Sequence, residues 1–189
     1  MRVLLANGSP HRKGFTAHQL GIVEEALHQD GIETVWWQLA DAPIRGCNDC
    51  MSCKDAHVCA FGAQDGVNEL IDLLGTCDGV VLGSPVYFGG ANGSFCAACD
   101  RAFYATCNWE STLRGKVGAS VVNLWRGGAT AAIDRLNKYF YASQMIVATS
   151  NYWALMHNGE HTEQDDRFGA QVMRNLAHNI ADLLNAHAE

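Results

Sequence analysis

Four cysteines between positions 47 and 59, in the pattern Cys47-x2-Cys50-x2-Cys53-x5-Cys59, are the densest chemical feature of this sequence. Tight Cys-x2-Cys spacing suits a tetrathiolate site, either a [4Fe–4S] cluster or zinc. Asp49, Asp55 and His57 are ligand-capable neighbours that keep zinc open, and a dithiol or disulfide is the competing arrangement. A second feature is the segment Asn7-Gly8-Ser9-Pro10-His11-Arg12-Lys13-Gly14-Phe15-Thr16, which joins a strand to a helix start. Unpaired N–H groups and the helix dipole at such a start favour a dianion. Ser9 and Thr16 add hydroxyls there, and Arg12 and Lys13 add positive charge. The segment is neither GxxxxGK[ST] nor GxGxxG, so it is no P-loop or dinucleotide turn. Its plainer alternative is a solvated loop with Thr16 as a helix cap.

A third feature is Gly83-Ser84-Pro85-Val86-Tyr87-Phe88-Gly89-Gly90-Ala91-Asn92-Gly93, two aromatics among clustered glycines. Glycines let a backbone approach a planar ring closely, and main-chain N–H groups then reach the ring's polar edge. The plainer alternative, a strand end with Tyr87 and Phe88 in the core, does not explain why glycines gather there.

The elements that must position these residues alternate along the chain. Short apolar runs at 2–6, 32–37, 78–83, 117–123 and 145–149 read as strands. Amphipathic stretches at 15–29, 67–74, 92–105, 129–142 and 165–186 read as helices. That alternation predicts an α/β fold, a three-layer, doubly wound, five-stranded parallel sheet in the flavodoxin-like order 2-1-3-4-5. Ligands of such sheets bind beyond the carboxyl ends of the strands, where the first and third diverge. With no linker or repeat, residues 1–189 read as one domain carrying a cysteine-rich segment at 47–59.

The 189 residues hold 13 basic against 20 acidic side chains, a net charge of −7 that repels nucleic acid and anionic lipid. The apolar stretch after Met1 is too short for a signal peptide and no segment could span a bilayer, so the expectation is a soluble, cytoplasmic protein. Eight cysteines in such a chain point away from structural disulfides, and Cys77, Cys96, Cys99 and Cys107 read as small buried hydrophobes.

The stretches GSPHRKGFT, GSPVYFGGANG and DRAFYA resemble the NADPH-dependent FMN reductase and iron–sulfur flavoprotein family, and TAAIDRLNKYFYASQMIVATSNYW resembles one of its branches. The resemblance implies non-covalent FMN and homodimers or homotetramers with the flavin near a subunit interface. It places Ser9, Arg12, Gly14, Phe15 and Thr16 around the phosphate, and Pro85, Val86, Tyr87, Phe88 and Gly89 along the isoalloxazine. Phe15 stands where many relatives have asparagine or cysteine, which suits packing rather than a hydrogen bond. The segment after the fourth strand, Trp125-Arg126-Gly127-Gly128-Ala129-Thr130, is a third wall, where Arg126 would stabilise negative charge on reduced flavin. A surface arginine paired with an aspartate is its alternative. Trp153 and His157 are further pocket candidates, and His157 reads equally as a solvated histidine.

The leading expectation is an FMN-dependent oxidoreductase that takes hydride from NAD(P)H and reduces a quinone, flavin or other small acceptor. The hydride chemistry belongs to the cofactor, so no protein acid or base is named. The first rival is an iron–sulfur electron relay with ferredoxin-like partners. The second is a non-catalytic module whose cysteines hold zinc.

Overall fold

β1 (Arg2–Asn7) has parallel partners on both sides, β2 (Glu33–Gln38) and β3 (Gly79–Tyr87), which is why Val3, Leu4, Leu5 and Ala6 are all fully buried. The computed structural model describes residues 1–39, 41–107, 112–157 and 166–188. Because successive side chains of a strand point to opposite faces, Val3 and Leu5 pack under α1 (Phe15–Gln29) and α6 (Arg167–Ala188). Leu4 and Ala6 pack with α3 (Val67–Thr76), α4 (Gly93–Thr106) and α5 (Ala129–Ala142). The result is the expected three layers, with apolar runs covered on both faces as a parallel sheet requires. α2 (Cys53–Ala56) is a single turn within the cysteine segment.

The main path runs β2-β1-β3-β5-β6, with β5 at Val117–Leu124 and β6 at Ile146–Val147, and reproduces the order 2-1-3-4-5 for the five expected strands. Two short strands are additional. β4 (Gly90–Ala91) folds back antiparallel on Val86–Tyr87. β7 (Leu155–His157) pairs with Val122–Leu124, on the same edge of β5 that β6 uses lower down. The expected last strand at 145–149 is therefore split. Ala148 N–H still donates to the Gly118 carbonyl, at 2.9 Å, but the residues that follow are bonded to α6 before β7 begins. There Ser150 Oγ donates to the Val172 carbonyl at 2.8 Å and Asn179 Nδ2 to that of Thr149 at 2.6 Å.

β3 runs four residues beyond its expected end, staying in register with β5 as far as Pro85 opposite Asn123. The expected start of the last helix at Asp165 lies outside the described residues. Of the four scattered cysteines, Cys77 and Cys99 are buried as expected, while Cys96 and Cys107 are only half-buried. Among the described residues no helix is long and apolar enough to cross a membrane.

Candidate functional site

The loop after β1 is held by a closed set of hydrogen bonds. Asn7 Nδ2 donates to Gln38 Oε1, and Gln38 Nε2 to the Ser9 carbonyl, each at 2.7 Å. Ser9 N–H donates to Asn7 Oδ1 at 3.0 Å, and its buried hydroxyl accepts from His11 N–H at 3.1 Å. Gly8 N–H reaches the Gly83 carbonyl at 2.7 Å, tying the loop to β3. A Cβ on Gly8 would sit 2.3 Å from the Phe95 ring. α1 then starts after an extended Gly14 that leaves the helix without a side-chain cap. The plainer reading of Thr16 as cap is thus replaced: Thr16 is buried in the first turn. Arg12 and Lys13 are exposed beside that helix start, on an open depression of about 490 Å³ rimmed also by Pro10, His11, Gly14 and Asp41. Uncapped first-turn N–H groups, the helix dipole and two cations give this depression a positive potential. Phe15 is about half exposed at its edge.

The third feature is a hairpin. Tyr87 pairs with Gly90, and between them Phe88 (φ 49°) and Gly89 (φ 80°) form a two-residue turn of type I′ geometry. Pro85 is buried, Val86 half-buried and Tyr87 exposed, and the Phe88 ring is wholly exposed. Neither aromatic belongs to the core, which disposes of the plainer reading. Gly128 (φ 92°) presses on Gly89, where a Cβ would lie 2.4 Å from the Gly89 Cα. That contact brings the segment after β5 against the hairpin. Beside Gly89, Gly90 and Gly127 the space is open. Arg126 lies over the Trp125 ring at 4.8 Å, an aromatic partner rather than the aspartate of the alternative reading. Asn92 links hairpin and first loop: its N–H donates to Ser84 Oγ at 2.9 Å, its Nδ2 to the Gly8 carbonyl at 2.8 Å, and its Oδ1 caps α4.

Trp153 packs at a tilt against Tyr152, which also meets Phe168 on α6 edge-on. His157 sits beside Leu124 at the end of β7, and its N–H donates to Asp166 Oδ2 at 2.8 Å.

All four clustered cysteines line one cavity, together with Met51, Phe61, Arg101 and Tyr104 among others. Cys47 and Cys50 are on its exposed side, Cys59 is half-buried and Cys53 is buried. Asp49, Met51 and His57 adopt left-handed backbone (φ 55°, 61° and 54°), a concentration of strain in this one segment. The Ser52 hydroxyl, 3.5 Å away, favours the Cys50 thiolate and lowers its pKa, whereas burial raises that of Cys53. Asp49, Asp55 and His57 do not line the cavity. Arg101, which does, is not among the residues that motif spacing points to. Its signal was a cation on the buried face of α4, among Ala98, Ala102 and Ala105.

A family model described as NADPH-dependent FMN reductase matches residues 1–160. The chain belongs to the NADPH-dependent FMN reductase family. Within it, an iron–sulfur flavoprotein of Methanocaldococcus jannaschii is 31% identical over 192 residues, covering 97% of each chain. An iron–sulfur flavoprotein of Methanosarcina thermophila is 27% identical over 190 residues, covering 97% of this chain and 95% of that one. A solved structure of RosB with a bound 8-demethyl-8-formylriboflavin-5′-phosphate intermediate superposes with a TM-score of 0.75 at 14% identity, over 100% of this chain and 80% of the other. That likeness speaks for the fold, which is flavodoxin-like. Membership in the FMN reductase family makes the chain an FMN-dependent oxidoreductase by class.

Proposed function

We propose that this family member is an iron–sulfur flavoprotein, passing electrons between a [4Fe–4S] cluster on Cys47, Cys50, Cys53 and Cys59 and an FMN at the carboxyl ends of β1, β3 and β5. The observation that carries this reading is the convergence of all four cysteines on one cavity. Asp49, Asp55 and His57 do not line that cavity, so its Cys, His, Asp and Glu donors are four thiols, the set a [4Fe–4S] centre takes. The full-length similarity to iron–sulfur flavoproteins supports the same choice.

The strand-end site fits FMN in its donors and its glycines. When bound, FMN supplies hydride and single-electron chemistry, and the protein supplies position and electrostatics. The first turn of α1, with the Ser9 and Thr16 hydroxyls and the charges of Arg12 and Lys13, holds the phosphate, with Gly14 and Phe15 at its edge. Pro85 to Gly89 run along the ring. Arg126 and Gly127 form the remaining wall, where the guanidinium favours negative charge on the ring. Thr16→Glu puts a carboxylate against the phosphate, so FMN affinity should fall well beyond about tenfold, or ~1.4 kcal/mol. Thr16→Val, of similar volume, separates loss of the hydroxyl from repulsion. Equal FMN retention by the parent and Thr16→Glu through gel filtration would remove this loop from the site.

The reading is tested by the spectrum of anaerobically prepared protein with iron, zinc and flavin analysis. Flavin bands with broad added absorbance that dithionite bleaches, and about four irons per chain, are expected. A colourless, zinc-loaded protein sinks it. Flavin bands without iron favour a second reading, a reductase that takes hydride from NAD(P)H and reduces a quinone, flavin or other small acceptor. The open space beside Gly89, Gly90 and Gly127 favours that reading, since it leaves room for a second planar ring. In the relay reading the electron donor is ferredoxin-like. The exposed Phe88 and Trp125 rings suit burial between copies in a homodimer or homotetramer, which gel filtration of the same preparation reads.

A further inference from the structure

Arg101 is 3% exposed, on the buried side of α4 with Ala98, Ala102 and Ala105. A guanidinium so buried is tolerated only when paired and hydrogen-bonded. Asp65, itself buried, takes two of its nitrogens: Nη1 donates to Oδ2 at 2.5 Å and Nη2 to Oδ1 at 3.2 Å. Nη1 also reaches the Arg45 carbonyl at 3.2 Å. This fork fixes the plane of the guanidinium and leaves Nε–H one direction. It points at the sulfur of Cys59, 3.2 Å away.

We propose that Arg101 positions Cys59 and tunes the reduction potential of the centre on the four cysteines, through its Nε–H···Sγ bond. The proposal rests on the cluster reading given above. Hydrogen bonds to ligand sulfurs are among the factors that set the potential of iron–sulfur centres. A donor to sulfur stabilises the electron-richer state, so the bond raises the potential. Asp65 is the second half of the device, because it cancels the formal charge of Arg101. The pair then acts through one directed N–H rather than through a net positive charge. Lysine cannot substitute: a single ammonium drawn to Asp65 has no rigid fork to aim a second donor at Cys59.

The test is the midpoint potential of the FMN- and iron-loaded protein. The double variant Arg101→Met with Asp65→Asn removes both buried charges and leaves the local net charge at zero. Its potential should shift negative at undiminished iron and flavin content. Arg101→Lys should shift the same way. A potential equal to the parent's in the double variant, or a full restoration by lysine, overturns the proposal. Because a core variant can fail to fold, the parent protein gives a second measurement. With 15N-arginine incorporated, pulsed EPR of the reduced state should detect an arginine nitrogen coupled to the centre, and its absence overturns the assignment. A parent that takes up no iron under anaerobic reconstitution fails the cluster reading and takes this proposal with it. A parent with about four irons and an unmoved variant potential sinks the arginine alone.

Discussion

Cys53→Ala in anaerobically reconstituted protein should lose its iron and keep its FMN. Cys53 is the buried member of the four, at the start of the short α2 turn, so it forms the inner wall of the cavity rather than its rim. Exchanging a thiol for a methyl there removes one sulfur and costs the fold on the order of 1 kcal/mol, by comparison with other small core truncations. Loss of iron would therefore report a missing ligand and not an unfolded loop. FMN should stay because none of Ser9, Arg12, Thr16 or residues 85–89 lines that cavity. Iron at the parent level in the variant would show that Cys53 is no ligand and would return the segment to a dithiol. Loss of flavin together with iron would show that the two regions are one folding unit.

Gly8→Ala should abolish flavin binding, for a reason that lies beneath the site rather than in it. The added methyl would meet the Phe95 ring at 2.3 Å and the Gly83 carbonyl at 2.8 Å. The backbone has nowhere to retreat, since Gly8 N–H is bonded to Gly83 and its carbonyl to Asn92. Overpacking of this kind costs roughly 1–3 kcal/mol, and here relief requires moving the loop that ends in Ser9. Gly127→Ala is the contrasting variant. Its Cβ would enter open space, so thermal stability should match the parent while FMN affinity falls if the ring lies over that position. A Gly8→Ala protein that retains FMN through gel filtration would detach this loop from the site, and an unaffected Gly127→Ala would remove the third wall.

How far the sequence could be read follows from which forces were local. The helices at 15–29 and 129–142 appear with the expected bounds because their apolar spacing alone decides which face is buried. The sequence places the end of β3 too early because Pro85 cannot donate to a ladder. It is tolerated at the far end, opposite Asn123, with the hairpin just beyond. The split between β6 and β7 was invisible, since what draws residues 149–151 away is a set of bonds to α6 more than twenty residues later. The four cysteines announced themselves by spacing. The partner of Cys59 did not, because Arg101 is far from it in sequence and only the packing of α4 against the cysteine segment joins them.

α4 is capped by Asn92, which ties together the hairpin and the first loop, and it reaches Arg101 about two and a half turns later. At the usual helical rise the two lie about 13.5 Å apart along one continuous rod. A rod of backbone hydrogen bonds has few soft modes, unlike the loops at either end. The spacing between Asn92, which ties the two loops, and the arginine beside Cys59 is thus a property of helical geometry rather than of loop conformation.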